Sequence, residues 1–76
     1  MENKKFFNRL AEIFDVPESV VDLDYKFPKD AWDSIALLAV TAAIDEFFDV
    51  VVSVKSIEEI NTVDELMQLI EKERNS

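Results

Sequence analysis

The chain has 76 residues, with 17 acidic and 8 basic side chains, a formal net charge of −9 and 49% apolar residues. This length suits one small packed domain, placed at residues 1–76, and the charge disfavours nucleic acid and anionic membranes as partners. His, Cys and Gly are absent, which excludes a Ser–His hydrolase, a thiolate metal site, disulfides and a glycine-rich phosphate loop. We therefore predict neither a metal site nor an enzymatic activity.

The first residues do not resemble a signal peptide, because residues 1–9 are charged and lack a long apolar core. The longest uncharged segment, residues 34–44, is too short to cross a bilayer. We expect a soluble, cytoplasmic, monomeric protein without membrane insertion.

A first helix is predicted over residues 3–14, where apolar side chains recur at helical spacing. These are Phe6, Phe7, Leu10, Ile13 and Phe14. Pro17 stops the pattern, because proline lacks the N–H that a helix needs. Residues 15–33 show no clean period and are interpreted as a long loop, of a length that is often functional.

A second helix is predicted over residues 34–48, which are rich in Ala and Leu. Ile35, Leu38, Ile44 and Phe48 are expected to form its inward face. Asp49 is expected to end it in the left-handed conformation, which Asp tolerates better than most residues.

The last third of the chain predicts a connection and two further helices. Residues 50–54 are valine-rich and could form a strand, but no second strand is evident, so we interpret them as a buried connection. Ser56 and Glu59 have capping-box spacing and predict a short helix over residues 56–60. Thr62 and Glu65 repeat that spacing and predict the start of a last helix, which is expected to end in the charged tail at 71–76. The sequence therefore predicts an all-α fold, a small up-down four-helix bundle of three main helices and one short helix, with a long loop between helices one and two.

Several segments, in order and at the right spacing, resemble the acyl carrier proteins. They are Asp33-Ser34-Ile35, Ile44-Asp45-Glu46-Phe47-Phe48, Val50 to Val54, and Thr62-Val63-Asp64-Glu65-Leu66. The match covers about residues 30–70. The first 29 residues agree with the family in helix length, acidity and loop placement, not in motif.

The resemblance implies that Ser34 accepts 4′-phosphopantetheine from coenzyme A, through a Mg²⁺-dependent phosphopantetheinyl transferase that reads Asp33. The arm's thiol then carries acyl groups as thioesters between acyl-loading and acyl-transferring enzymes. Ser34 is therefore expected to be a substrate and not a catalytic nucleophile, which agrees with the missing His. A helix cap is the plainer interpretation of Ser34, but Asp33 can cap the same helix.

The chain departs from the family at four positions. Fatty-acid carriers usually have acids at the second and fifth positions after the serine, where this chain has Ala36 and Ala39. Ala31 and Asp49 stand where many members have Gly. The two missing acids favour a specialised lipid or polyketide-like pathway over housekeeping fatty-acid synthesis.

The helix face near Ser34 is expected to be apolar and to bind partner proteins, with acids beside it. The predicted partner-binding residues are Trp32, Ile35, Ala36, Leu37, Ala39, Val40, Asp45 and Glu46. Trp32 could equally anchor the long loop. Two alternatives stay open, an aminoacyl or peptidyl carrier and an unmodified acidic helical adaptor that binds a basic partner.

Overall fold

The computed structural model describes residues 2–28, 30 and 32–75 of the chain. Four α-helices follow in order: α1 Glu2–Phe14, α2 Ser34–Phe48, α3 Val54–Glu58 and α4 Val63–Arg74. Within the described residues there is no β-strand, and the only bridge outside the helices joins Lys26 to Thr62. The prediction of an all-α bundle with a long first loop is confirmed. None of the helices in this part of the chain is both long and apolar enough to span a bilayer.

The core is built around α2, which packs against both α1 and α3. Phe6 and Leu10, one turn apart on α1, are completely buried, as the predicted stripe requires. The Phe6 ring stands edge-on to Phe48 with centroids 4.9 Å apart, and to Phe47 at 5.8 Å. Such edge-to-face pairs add to the stability that burial supplies. They hold the end of α2 against α1.

The long loop between α1 and α2 is tied to the start of α4. It contains a 3₁₀ turn, Glu18–Val20, in place of the irregular chain expected there. The Phe27 N–H donates to the Asn61 carbonyl at 2.8 Å, and the Val63 N–H donates to the Tyr25 carbonyl at 3.0 Å. Since the first N–H groups of a helix have no partner within it, the loop supplies an acceptor that α4 needs.

The predicted orientation of α2 is wrong in part. Ile44 is fully buried as expected, and Phe48 is partly buried against the core. Ile35 and Leu38, which were expected to face inward, are 79% and 64% exposed. The inward side of α2 is instead formed by Ala36, Leu37, Val40, Ala43 and Ile44. Only four of the fifteen residues in α2 are polar, so its sequence carries almost no periodicity from which to read the inward side.

The boundaries of α3 and α4 also differ from the prediction. Helix α3 begins at Val54, and its cap is Ser53, whose side chain accepts from the Ser56 N–H at 3.1 Å. Two caps with plausible spacing compete here, and the upstream serine is the one used. Helix α4 is capped by Thr62 as predicted, but it continues to Arg74 and does not end before the charged tail. Lys72 and Arg74 lie in its last turn, where positive charge favours the helix C-terminus.

The connection between α2 and α3 alternates between buried and exposed valines. Val50 and Val52 are buried, while Val51 is exposed. The prediction of a buried connection over residues 50–54 is therefore correct for Val50 and Val52 only, because Ser53 is also exposed and Val54 is exposed and begins α3. Asp49 ends α2 with φ of 56° and ψ of 43°, the left-handed conformation expected for it. The departure at Ala31 lies outside the described residues.

Candidate functional site

The start of α2 is capped by Asp33 and not by Ser34. The Asp33 carboxylate accepts a hydrogen bond from the Ala36 N–H at 2.8 Å. The backbone carbonyl of Asp33 accepts a second hydrogen bond, from the Leu37 N–H at 3.0 Å. Asp is among the residues preferred at this position, because its short side chain reaches the free N–H groups. Ser34 is the first residue inside the helix.

Ser34 is exposed, and its hydroxyl makes no hydrogen bond to any other described residue. Among those residues, the N–H groups of Ser34 and Ile35 also lack an acceptor. Free N–H groups and the positive end of the helix dipole favour an anion at this position. An exposed hydroxyl at the first turn of α2 therefore fits a phosphodiester, because the attached phosphate would lie beside these donors.

The residues predicted to bind partners do not lie on one surface. Ile35, Asp45 and Glu46 are exposed, and Ala39 is half-buried. The prediction that Ala36, Leu37 and Val40 form an outer face is wrong, because all three are buried in the core, Val40 completely.

Leu38, like Ile35, is an exposed apolar residue of α2 that was expected to face inward. It lies one turn after Ile35 and Ser34 along the same side of the helix. Ile35 and Leu38 together form an exposed apolar pair next to Ser34, with Asp45 further along. Leu38 lies four positions after Ser34 and three after Ile35, and this helical spacing was the available signal for it.

Trp32 packs into an aromatic cluster below the site. Its ring lies 5.0 Å from the Phe27 ring and 5.4 Å, edge-on, from the Phe14 ring, measured between centroids. Phe27 is buried and joins the loop to the core. The structure therefore supports the anchoring role of Trp32, since these contacts fix the chain two residues before Ser34.

Glu46 is joined to α1 by an exposed ion pair. The two Arg9 guanidinium nitrogens donate to its two carboxylate oxygens at 3.3 Å and 3.2 Å. The same guanidinium lies 5.3 Å from the centre of the Phe47 ring. Of the two acids predicted to meet partners, Glu46 is therefore partly neutralised within the chain, whereas Asp45 makes no such contact to a described residue.

Acidic side chains are numerous, but they do not converge on a metal. No group of three or more carboxylates that could hold a metal ion occurs within residues 2–28, 30 and 32–75.

Comparison with known proteins agrees with this site. Residues 4–70 match the family described as phosphopantetheine attachment site. The acyl carrier protein TtuC of Teredinibacter turnerae is 31% identical over 61 residues, which span 80% of this chain and 70% of the relative. No solved structure matches the chain.

The chain therefore belongs to the phosphopantetheine attachment family and, within it, to the acyl carrier proteins. Such proteins hold 4′-phosphopantetheine covalently and are carriers, not enzymes. The thiol at the end of that group supplies the thioester chemistry when it is bound.

Proposed function

We propose that Ser34 is the attachment residue and that the chain delivers acyl thioesters to partner enzymes of a specialised lipid or polyketide-like pathway. The observation that carries this proposal is the separation of two tasks at the start of α2. Asp33 makes the cap, so the Ser34 hydroxyl is exposed and has no hydrogen-bond partner among the described residues. A serine kept only for capping would be expected to make that bond itself.

We propose that the phosphopantetheinyl transferase recognises Asp33. One of its oxygens caps the helix, which fixes the side chain beside Ser34. The residue is exposed, so a second enzyme can reach it. The transferase must supply the base that activates the Ser34 hydroxyl, because the chain has no His.

The proposed docking face is the exposed part of α2 next to Ser34, formed by Ile35, Leu38 and Asp45. Two large apolar side chains exposed on one face are typical of a protein-binding site. Positions 36 and 39 are both Ala, so the chain presents no carboxylate at the two positions where fatty-acid carriers usually have one. This difference supports a specialised pathway. A reconstituted fatty-acid elongation cycle tests it, since the chain should support the cycle poorly beside a standard carrier.

The attachment is tested by intact mass after incubation with coenzyme A, Mg²⁺ and a broad-specificity phosphopantetheinyl transferase. Wild type should gain one phosphopantetheinyl group and Ser34→Ala should gain none. Ser19→Ala is the matched control, because Ser19 is also exposed but lies in the 3₁₀ turn, and it should be modified like wild type. No gain in wild type, in a tube where a standard carrier is modified, contradicts the proposal and favours an unmodified adaptor.

The cargo is tested on the modified protein. Loading with neutral acyl groups by acyl-transferring enzymes should succeed. Loading with amino acids by adenylating enzymes, in place of acyl loading, would favour an aminoacyl or peptidyl carrier instead.

A further inference from the structure

A small pocket lies between the loop that precedes Ser34 and the end of α3. Its volume is about 290 Å³, slightly below the range of pockets that enclose a whole small-molecule ligand. It is lined by Trp32, Glu58, Ile60 and Asn61. The pocket therefore suits a single side chain of another protein better than a complete cofactor.

Two walls of the pocket are fixed by contacts with the rest of the fold. The Trp32 ring packs against the rings of Phe14 and Phe27, with centroids 5.4 Å and 5.0 Å away. On the opposite wall, the Asn61 N–H donates to a Glu65 carboxylate oxygen at 2.6 Å. The Asn61 carbonyl accepts the Phe27 N–H at 2.8 Å. Because Phe27 contacts both walls, it holds their separation, and a guest need not order the pocket first.

The lining of the pocket favours a positively charged guest. Glu58 is exposed, and it carries the only charge among the described residues that line the pocket. It makes no hydrogen bond or ion pair to a described residue, including Lys55 one turn earlier on α3. An aromatic ring attracts a cation, and a free carboxylate beside it adds to that attraction. Trp32 and Glu58 together therefore select a cation.

Arginine is the cationic side chain that matches these groups best. A planar guanidinium can stack on the Trp32 ring while it donates two parallel hydrogen bonds to the Glu58 carboxylate. The side-chain amide of Asn61 has no hydrogen-bond partner among the described residues, and its oxygen can accept a further N–H. The ammonium group of lysine is a compact point charge and cannot stack in this way.

The pocket is close to Ser34 but separate from the docking face proposed on α2. Trp32 is two residues before Ser34, so their Cα atoms are at most about 7.6 Å apart. No residue of α2 lines the pocket, whereas Ile35 and Leu38 both belong to that helix. A protein that inserts a side chain here therefore has its body next to Ser34 and can also contact α2.

We infer that the pocket between Trp32 and Glu58 receives an arginine side chain of a partner protein that approaches Ser34. The net charge of −9 attracts basic proteins in general, and the pocket fixes one arginine of such a protein in a defined place. That the partner acts on Ser34 rests on the proposed function. The affinity of the pocket for a guanidinium group does not.

The first experiment uses the intrinsic fluorescence of Trp32, which is the only tryptophan in the chain. The unmodified protein is titrated with the peptide acetyl-Gly-Arg-Gly-amide. The matched peptide contains citrulline, which replaces the guanidinium by an uncharged urea of the same shape. The arginine peptide should change the Trp32 emission saturably, with a Kd in the millimolar range, and the citrulline peptide should bind at least about fivefold more weakly. Equal binding of the two peptides, or no saturable change, overturns the inference.

The matched variants are Glu58→Gln and Glu59→Gln. Glu59 is the next residue and is also exposed, but it does not line the pocket. Each variant removes one negative charge, so both weaken the general attraction of the protein for a cation equally. Glu58→Gln should raise the Kd of the arginine peptide about fivefold, and Glu59→Gln less than about twofold. Equal increases in the two variants would assign the binding to net charge and overturn the inference.

NMR locates the guanidinium group in the wild-type protein. The arginine peptide should shift the indole N–H signal of Trp32 and the side-chain amide signals of Asn61, because both residues line the pocket. Asn8 lies on α1 and does not line it, so its side-chain amide signals should stay in place. Shifts at Asn8 without shifts at Asn61 contradict the proposed position.

The titration also separates this inference from the attachment proposal, because it needs no modification of the chain. Ser34→Ala should bind the arginine peptide with the Kd of wild type. If the transferase leaves wild type unmodified while the peptide binds, the attachment proposal fails and the pocket stands. If wild type is modified but the peptide does not bind, the inference about the pocket fails and the attachment stands.

Discussion

The Asp33 carboxylate accepts the Ala36 N–H at 2.8 Å, directly across the first turn of α2 in which Ser34 lies. This hydrogen bond closes the helix start through Asp33 and leaves the Ser34 hydroxyl exposed. One cap thus positions the proposed attachment residue and leaves its side chain accessible.

Asp33 combines a structural task with a proposed recognition task, and two variants separate them. Asp33→Ala removes the cap and should lower the free energy of unfolding by about 1 kcal/mol. Asp33→Ser keeps a capping oxygen and should stay within about 0.5 kcal/mol of wild type. Urea denaturation measures both. Both variants should be modified more slowly by the transferase. Modification of Asp33→Ser at the wild-type rate would show that the transferase does not read the carboxylate.

Leu37 and Leu38 are neighbours in sequence but lie on opposite sides of α2. Leu37 is 7% exposed and belongs to the core, so Leu37→Ala should lower the free energy of unfolding by about 2–5 kcal/mol. Leu38 is exposed, and Leu38→Ala should change it by less than about 0.5 kcal/mol. Chemical denaturation of the pair checks the orientation of the helix. A larger loss for Leu38→Ala than for Leu37→Ala would contradict this orientation and support the one inferred from the sequence.

Asp49 holds a left-handed conformation at φ of 56°, where glycine has no steric penalty. Asp49→Gly should therefore stabilise the protein by up to about 1 kcal/mol, and Asp15→Gly, at the same φ, should act in the same direction. Asp45→Gly is the control. Asp45 lies inside α2, so glycine there should destabilise by about 1 kcal/mol. A lower melting temperature for Asp49→Gly would contradict the helix end at this residue.

The ion pair between Arg9 and Glu46 is exposed on both sides and should contribute little. Glu46→Gln should lower the free energy of unfolding by less than about 1 kcal/mol at low salt. The difference should shrink in about 1 M NaCl, where the screening length falls to about 3 Å. Asp45→Asn is the neighbouring control without this pair, and it should show no comparable salt dependence. If both variants lost the same free energy of unfolding, the ion pair would not be the cause of the effect of Glu46→Gln.

Local signals in the sequence determined, to within a residue, where α1 and α2 begin and end and where α4 begins. Asp33 and Thr62 cap α2 and α4 through bonds to N–H groups three residues ahead, so the residue types and their spacing suffice. The apolar stripe containing Phe6 and Leu10 likewise predicted the buried side of α1, because the polar residues of α1 lie on the other side of the helix. The order of segments from Asp33 to Leu66 was enough to identify the family.

Tertiary structure decided which side of α2 faces the core. That helix is apolar on almost every side, so Leu37 and Leu38 were equivalent in sequence, and only the positions of α1 and α3 distinguish them. Packing also chose Ser53 over Ser56 as the cap of α3. A surface groove lined by Ile13 of α1 and Ala39 of α2 likewise forms where these two helices meet, since a space between elements distant in the chain depends on their packing and not on local spacing.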